Sequence, residues 1–179
     1  MCGICGELRL HQDKATAETV SAMLGHLERR GPDDEGLYVN NQIALGHRRL
    51  AIIDLTDAGK QPMFNQGQSL SIVFNGTIYN YPQLRKELQS LGRTFNSSGD
   101  TEVILQAYEQ WGEQCVERLT GMFAFAIWDS RVSKLFIARD RLGIKPLYYS
   151  LTQNAFLFAS NTQALLASRV IDTNIDPQA

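Results

Sequence analysis

Cysteine, long apolar runs and charge of one sign are all scarce in this chain of 179 residues. No stretch is apolar enough, or long enough, to span a bilayer as a helix. Net charge is −2 with no basic block, so nucleic acid and anionic membrane are not expected partners. Cys2, Cys5 and Cys115 are an odd and sparse set, which argues against a disulfide framework and for a reducing, cytoplasmic setting. The first ten residues already contain Glu7 and Arg9 and lack an apolar core, so no secretory signal is expected. His11, His26 and His47 are scattered and no second CxxC follows the first. A zinc cluster is therefore not expected. There is no internal repeat and no low-complexity tract.

What is present is ordinary globular composition, 44% hydrophobic and 20% charged, in a length that suits one domain with a sizeable core. Residues 3–10 read as a strand. Asp13 is placed to cap a helix carrying Ala17, Val20, Met23, Leu24 and Leu27 at helical spacing, stopped by Gly31-Pro32. Residues 37–39 and 43–45 flank Asn40-Asn41 as a hairpin, with 50–53 extending the strand run and 54–68 a loop. A buried strand at 71–75 is followed by a helix with Pro82 in its first turn, then by a second helix over 101–111. Four apolar strand runs (MFAFAIWD, KLFIARD, LYYSL, AFLFAS) and a short helix over 162–168 close the order. The first two runs are joined by 130–133. Strands that follow one another with helices outside them predict an α+β protein with mostly antiparallel sheet. The last residues, DTNIDPQA, carry no closing element, as if more chain followed.

The opening MCGICG carries the chemistry. Removal of Met1 leaves the Cys2 thiol and a free α-amine on one residue. That amine has an ordinary pKa of about 7.7–8.0, so a substantial fraction is neutral near physiological pH and can act as the base a thiol nucleophile needs. Position alone is equally met by a small residue opening a strand. Cys2 and Cys5 are an odd number of residues apart and point to opposite faces of a strand, which argues against a redox pair. Cys5 and Cys115 read as small buried residues.

MCGICG, RRGPDDEG, GHRRLAIIDL, QPM, FNGTIYNY, SSGDTEVIL, GMFAFAIWD and ARDRLGIKPLYY, in that order, resemble the class II glutamine amidotransferase domain of the asparagine synthetase family. That is an N-terminal nucleophile hydrolase, and the resemblance runs from residue 2 to about residue 168. It implies a four-layer αββα sandwich of two mostly antiparallel sheets, in one glutaminase domain over 1–179. It implies that Cys2 attacks the side-chain amide of glutamine to give glutamate and ammonia. Asn75 and Gly76 then match the oxyanion hole, Arg49 the holder of the substrate carboxylate and Asp100 the partner of its ammonium. From the residues alone, Asn75-Gly76 also reads as a plain turn and Asp100 as a helix cap. Strand alternation sends Arg48 to the other face, as a solvated arginine. Arg30 and Asp33 read as a structural pair, and the aromatic run MFAFAIW as core.

Many asparagine synthetases read NGEIYN, where the glutamate helps hold the ammonium. This chain has Thr77 there, which brings no charge and predicts looser ammonium recognition. Thr77, GDTEV and MCGICGEL also resemble a relative that amidates a dipeptide, N-acetylglutaminylglutamine amidotransferase. The resemblance further implies a C-terminal synthetase domain that uses the ammonia with ATP and Mg. No SGG-x-D-S loop is found here, so that domain is expected to be absent, and no cofactor is expected for the glutaminase half. Glutamine and the synthetase domain are the expected partners, with a homodimer among the expected states. A glutamine-binding or regulatory module without hydrolysis, and a Cys2/Cys5 redox or metal protein, are the rival readings.

Overall fold

Strand alternation near the N-terminus sets the layers. In β1 (Gly3–Arg9), Ile4 and Cys5 are both fully buried but in different cores. A strand whose two faces are both apolar needs a layer on each side. The computed structural model describes residues 1–11 and 13–171; the expectation for DTNIDPQA lies outside the described residues.

In chain order the elements after β1 are α1 (Ala17–Gly25), β2 (Asp34–Asn40), β3 (Ile43–Arg49), β4 (Met63–Phe64), β5 (Leu70–Ile78), α2 (Tyr81–Ser90), α3 (Asp100–Trp111) and α4 (Cys115–Arg118). There follow β6 (Gly121–Asp129), β7 (Lys134–Arg139), β8 (Tyr148–Leu151), β9 (Ala155–Ala159) and α5 (Thr162–Ala167). One sheet has the order β2-β3-β1-β9-β8 and the other β4-β5-β6-β7. Every strand pair in both is antiparallel. Helices α1 and α5 cover the first sheet through Val20, Met23, Leu24, Ala164 and Leu165. Helices α2 and α3 cover the second through Leu84, Leu88, Val103, Ile104 and Ala107. Between the sheets lie Ile4, Ile43, Leu45, Val73, Ala124, Ala126, Trp128 and Phe158. The protein is thus α+β, with the four-layer αββα order expected.

The Phe158 ring crosses the β1 backbone at Gly6, where a Cβ would fall inside van der Waals contact with the ring. Glycine is required there by close approach rather than by backbone angle.

Five local expectations need correction. Helix α1 ends at Gly25, with a separate 3-10 turn at Glu28–Arg30, rather than running on to the Gly31-Pro32 stop. The N-cap of α1 is Thr16, whose Oγ1 accepts from Thr19 N at 3.3 Å, not Asp13. The hairpin turns on Asn41-Gln42 rather than Asn40-Asn41, because Asn40 already pairs with Ile43 and Asn41 takes the positive φ of 49°. Residues 50–53 do not extend the strand. Leu50 N–H donates to Cys2 Sγ and Ala51 N–H to Asp33 Oδ2, so side chains take the donors a neighbouring strand would have taken. Residues 54–68 are loop for the most part, but hold a 3-10 turn at Asp57–Gly59 and the two-residue β4.

One polar contact ties the sheets together inside this apolar layer. His47 of β3 is 1% exposed, and its Nε2 lies 3.2 Å from Phe74 O of β5. A carbonyl only accepts, so Nε2 carries the proton. Burial first, and the Arg49 charge next, hold the His47 pKa down to about 4 against the opposing bond to Phe74. An unfolded histidine titrates near 6.5. Between those values the unfolded chain binds more protons, so stability falls as pH drops from about 6.5 towards 4, by about 3 kcal/mol in all. His47→Gln is expected to flatten that part of the pH dependence of Tm. Parallel Tm profiles for both proteins would count against it.

Candidate active site

The site lies at one end of the sandwich, where β1 begins and β3 finishes. A cavity of about 250 Å³ opens there, lined by Cys2, Arg49, Asn75, Gly76, Thr77, Asp100 and Lys145 among others. That is just below the usual size of small-molecule sites, about 300–1,000 Å³, and suits a small ligand such as an amino acid. All six residues singled out from the sequence are therefore brought to one cavity, from four separate segments.

Cys2 heads β1 and is half-buried. Its Sγ accepts from Leu50 N–H at 3.4 Å and lies 3.6 Å from Leu50 O. Arg30 Nε donates to Cys2 O at 3.1 Å. Arg30 and Asp33 do not pair. Each instead anchors backbone beside the thiol, Arg30 at Cys2 and Asp33 at Ala51. Cys5 faces α1, with its Sγ near Gly46, and burial pushes its thiol far above the ordinary value. It is on the opposite side of β1 from the cavity. Among the described residues no group of three His, Cys, Asp or Glu is placed to hold a metal ion.

The far wall is the edge of β5. This strand runs to Ile78, but its neighbour β4 pairs only with Ser71 and Ile72. Beyond that point the outer edge is open, and backbone N–H groups on it need other acceptors. Phe74 N–H donates to Gln61 Oε1 at 2.6 Å, and Ile78 N–H to Asp100 Oδ2 at 2.9 Å. By the two-residue alternation, Gly76 N–H points the same way, between them, into the cavity that Gly76 lines. A Cβ at Gly76 would strike Met122 O and come within 2.8 Å of Phe123 Cα. Beside it Asn75 is 1% exposed, and its Nδ2 has no hydrogen-bond partner. A buried amide donor left unpaired costs about 1–3 kcal/mol, so it marks a place where a ligand acceptor belongs.

Arg49 is buried, and only its Nη2 is engaged by the protein, on the carbonyls of Asp54 and of Thr56, the latter at 3.1 Å. The loop carrying those carbonyls is held by Asp54. Its carboxylate accepts from Thr56 N, Thr56 Oγ1, Ser98 N and Ser98 Oγ at 2.6–3.1 Å. The Thr56 hydroxyl above all holds the Asp54 carboxyl well below the usual range. Asp100 is the first residue of α3, and the N-cap is Gly99, so the cap alternative for Asp100 does not hold. Burial pushes the Asp100 carboxyl up, against the Ile78 N–H bond. Arg48 is not solvated: it donates to Leu24 O at 3.3 Å and pairs with Glu35, closing the C-terminal end of α1.

Gln61, Asp54 and Lys145 were missed as site residues. Gln61 and Asp54 act through loop backbone, which periodicity does not report. The signal for Asp54 was local, a carboxylate two residues before a threonine in a turn. Lys145 lies in a loop and reaches the cavity only through the fold.

An αββα sandwich of two antiparallel sheets, with a thiol at the head of its first strand in the cavity that Asn75 and Gly76 also line, has the layout of the N-terminal nucleophile hydrolase fold. Comparison with known proteins agrees and narrows it. A glutamine amidotransferase domain model matches residues 1–179. The chain is 42% identical to glutamine-hydrolyzing asparagine synthetase 3 of Bacillus subtilis (strain 168), over 98% of this chain and 29% of that protein. It is 39% identical to a putative glutamine-hydrolyzing asparagine synthetase 2 of Methanocaldococcus jannaschii, over 96% of this chain and 36% of the relative. Among solved structures, glutamine PRPP amidotransferase from B. subtilis, complexed with ADP and GMP, superposes with a TM-score of 0.79 at 22% identity, covering 94% of this chain and 44% of that one. The chain belongs to the class II glutamine amidotransferase domain family, in its asparagine synthetase branch. It spans about three tenths of the length of the first of these relatives.

The Asp54 loop can be tested directly. Asp54→Asn removes charge-assisted acceptors worth about 1.5–3 kcal/mol each. The amides of Thr56 and Ser98 are expected to exchange with solvent tenfold faster or more, while those of β5 stay protected. Unchanged exchange at both amides would show that the loop is held by something else.

Proposed function

We propose that this chain hydrolyses the side-chain amide of glutamine to glutamate and ammonia through a thioester on Cys2. The observation that carries this is the pair of N–H donors, Asn75 Nδ2 without a partner and Gly76 N–H on an open strand edge, in the cavity that Cys2 lines.

Met1 also lines that cavity, so its removal enlarges the site and frees the α-amine of Cys2. The amine takes the thiol proton as the sulfur attacks the amide carbon. The carbonyl oxygen becomes an oxyanion, which Asn75 and Gly76 receive. On collapse, the α-ammonium returns the proton to the leaving nitrogen and ammonia departs. Water, deprotonated by the same amine, attacks the thioester; the thiol is reformed and glutamate leaves. No external proton source is needed.

Arg49 has Nε and Nη1 left for the α-carboxylate of glutamine, and a guanidinium fork suits that group. Asp100 has its second carboxylate oxygen for the α-ammonium, whose charge offsets the effect of burial on Asp100. Thr77 supplies at most a neutral hydrogen bond to that ammonium. The ammonia is meant for an ATP- and Mg-dependent, amide-forming synthetase domain outside this chain. The short span of the chain on its asparagine synthetase relatives supports this. The acceptor, aspartate or another carboxylate such as a dipeptide, belongs to that domain. We place the reaction in a reducing, cytoplasmic compartment, because the thiol must stay unoxidised. No helix among the described residues is long and apolar enough to cross a membrane.

Cys2→Ser is expected to abolish glutamate release from glutamine, and the active protein to have a mass lacking Met1. Asn75→Ala is expected to lower kcat about 10²–10³-fold, the cost of one oxyanion donor, with a small change in KM. Glutamine binding with no glutamate release by the wild type, in calorimetry beside the enzymatic assay, would favour the binding-module reading instead. Thr77→Glu is expected to lower KM for glutamine and leave kcat nearly unchanged.

A further inference from the structure

Lys145 is 6% exposed and lines the cavity together with Met1 and Cys2. Its Nζ has one hydrogen-bond partner, the Met1 thioether sulfur at 3.5 Å, which is a weak acceptor. Among the described residues no carboxylate lies within 4 Å of it. A buried ammonium without a counter-ion is expensive. The root of the side chain is nonetheless fixed. Lys145 N–H donates to Asp140 Oδ2 at 3.0 Å, and Arg139 Nε donates to Lys145 O at 2.6 Å. Asp140 spends its oxygens on the N–H groups of Phe123, Ile144 and Lys145 rather than on Nζ. The fold thus aims a positive charge at the Met1 side chain, in the cavity that Cys2 also lines.

We propose that Lys145 is a positioning residue for the amide hydrolysis, its ammonium holding the Cys2 α-amine in the neutral, basic form. This rests on the reading of Cys2 as nucleophile. An α-amine with a pKa of about 7.7–8.0 is mostly protonated at pH 7, and a protonated amine is no base. A second positive charge nearby disfavours that protonation.

Other charges face the same place. Arg30, on Cys2 O, and Arg49 act in the same direction as Lys145. Asp33, Asp54, Asp100 and Asp140 act against it, but each already accepts from backbone N–H groups. Arg139 is turned to the carbonyls of Gly143 and Lys145. His47 is neutral. Lys145 alone among them meets the side chain of the first residue.

The test uses the chain with Cys2 as its first residue, in wild-type, Lys145→Met and Lys145→Arg forms. Two profiles are recorded from about pH 5.5 to about 9.5: kcat/KM for glutamine, and the rate of Cys2 alkylation by iodoacetamide, which needs no turnover. Lys145→Met is expected to move the acid limb of both to higher pH by about half a unit or more. At the acid end the loss is about 3–10-fold, shrinking towards pH 9, and Lys145→Arg restores the wild-type limb. An alkylation limb that does not move, or a loss equal at every pH, overturns the proposal. A wild-type chain that alkylates but releases no glutamate overturns the hydrolase reading, while the alkylation limb still decides the role of Lys145.

Discussion

The site depends on the shortness of β4. A nine-residue strand, β5, lies beside a two-residue edge strand, so its outer edge runs out of partners before the strand ends. Buried backbone donors without partners are not tolerated, and the molecule answers with side chains from two other places. Gln61 covers Phe74 N–H and Asp100 covers Ile78 N–H. The donor between them is left to the cavity, where glycine lets the strand approach its neighbour. A longer β4 would bring a strand across this edge and take that donor for the ladder.

The same economy governs the loops around the cavity. Each buried carboxylate near it accepts from backbone N–H groups instead of pairing with a cation. Asp54 ties residues 56 and 98, Asp140 ties 123, 144 and 145, and Glu102 ties 96 and 97. Irregular chain is thereby held with the definition a sheet or helix would give it. The cations, Arg30, Arg49 and Lys145, are correspondingly turned to carbonyls, to the N-terminal residue and to the space between. The result is a set of cations at this end of the sandwich that no carboxylate side chain pairs with among the described residues.

Much of this was legible before the fold. Alternation in β1 placed Cys2 and Cys5 on opposite faces, and both lie where the period requires. Alternation in β3 separated Arg49 from Arg48, though not the role of Arg48 at the end of α1. The helices over 81–90 and 100–111 follow from Pro82 and from the apolar spacing. The failures share a cause. Residues 50–53 carry a strand composition, yet their donors go to Cys2 and Asp33, and Arg30 and Asp33 are neighbours in sequence that serve different segments.

By itself, then, the sequence determined periods: which faces are apolar, where helices lie, and which motif residues stand in which order. Those are local properties, set by backbone geometry and by side chains within a turn or two. The tertiary structure alone decided which edge donors stay unpaired, which carboxylates bind backbone, and that Lys145 meets Met1 across 144 positions of chain. Such facts depend on where strands end beside one another, and no local period encodes that.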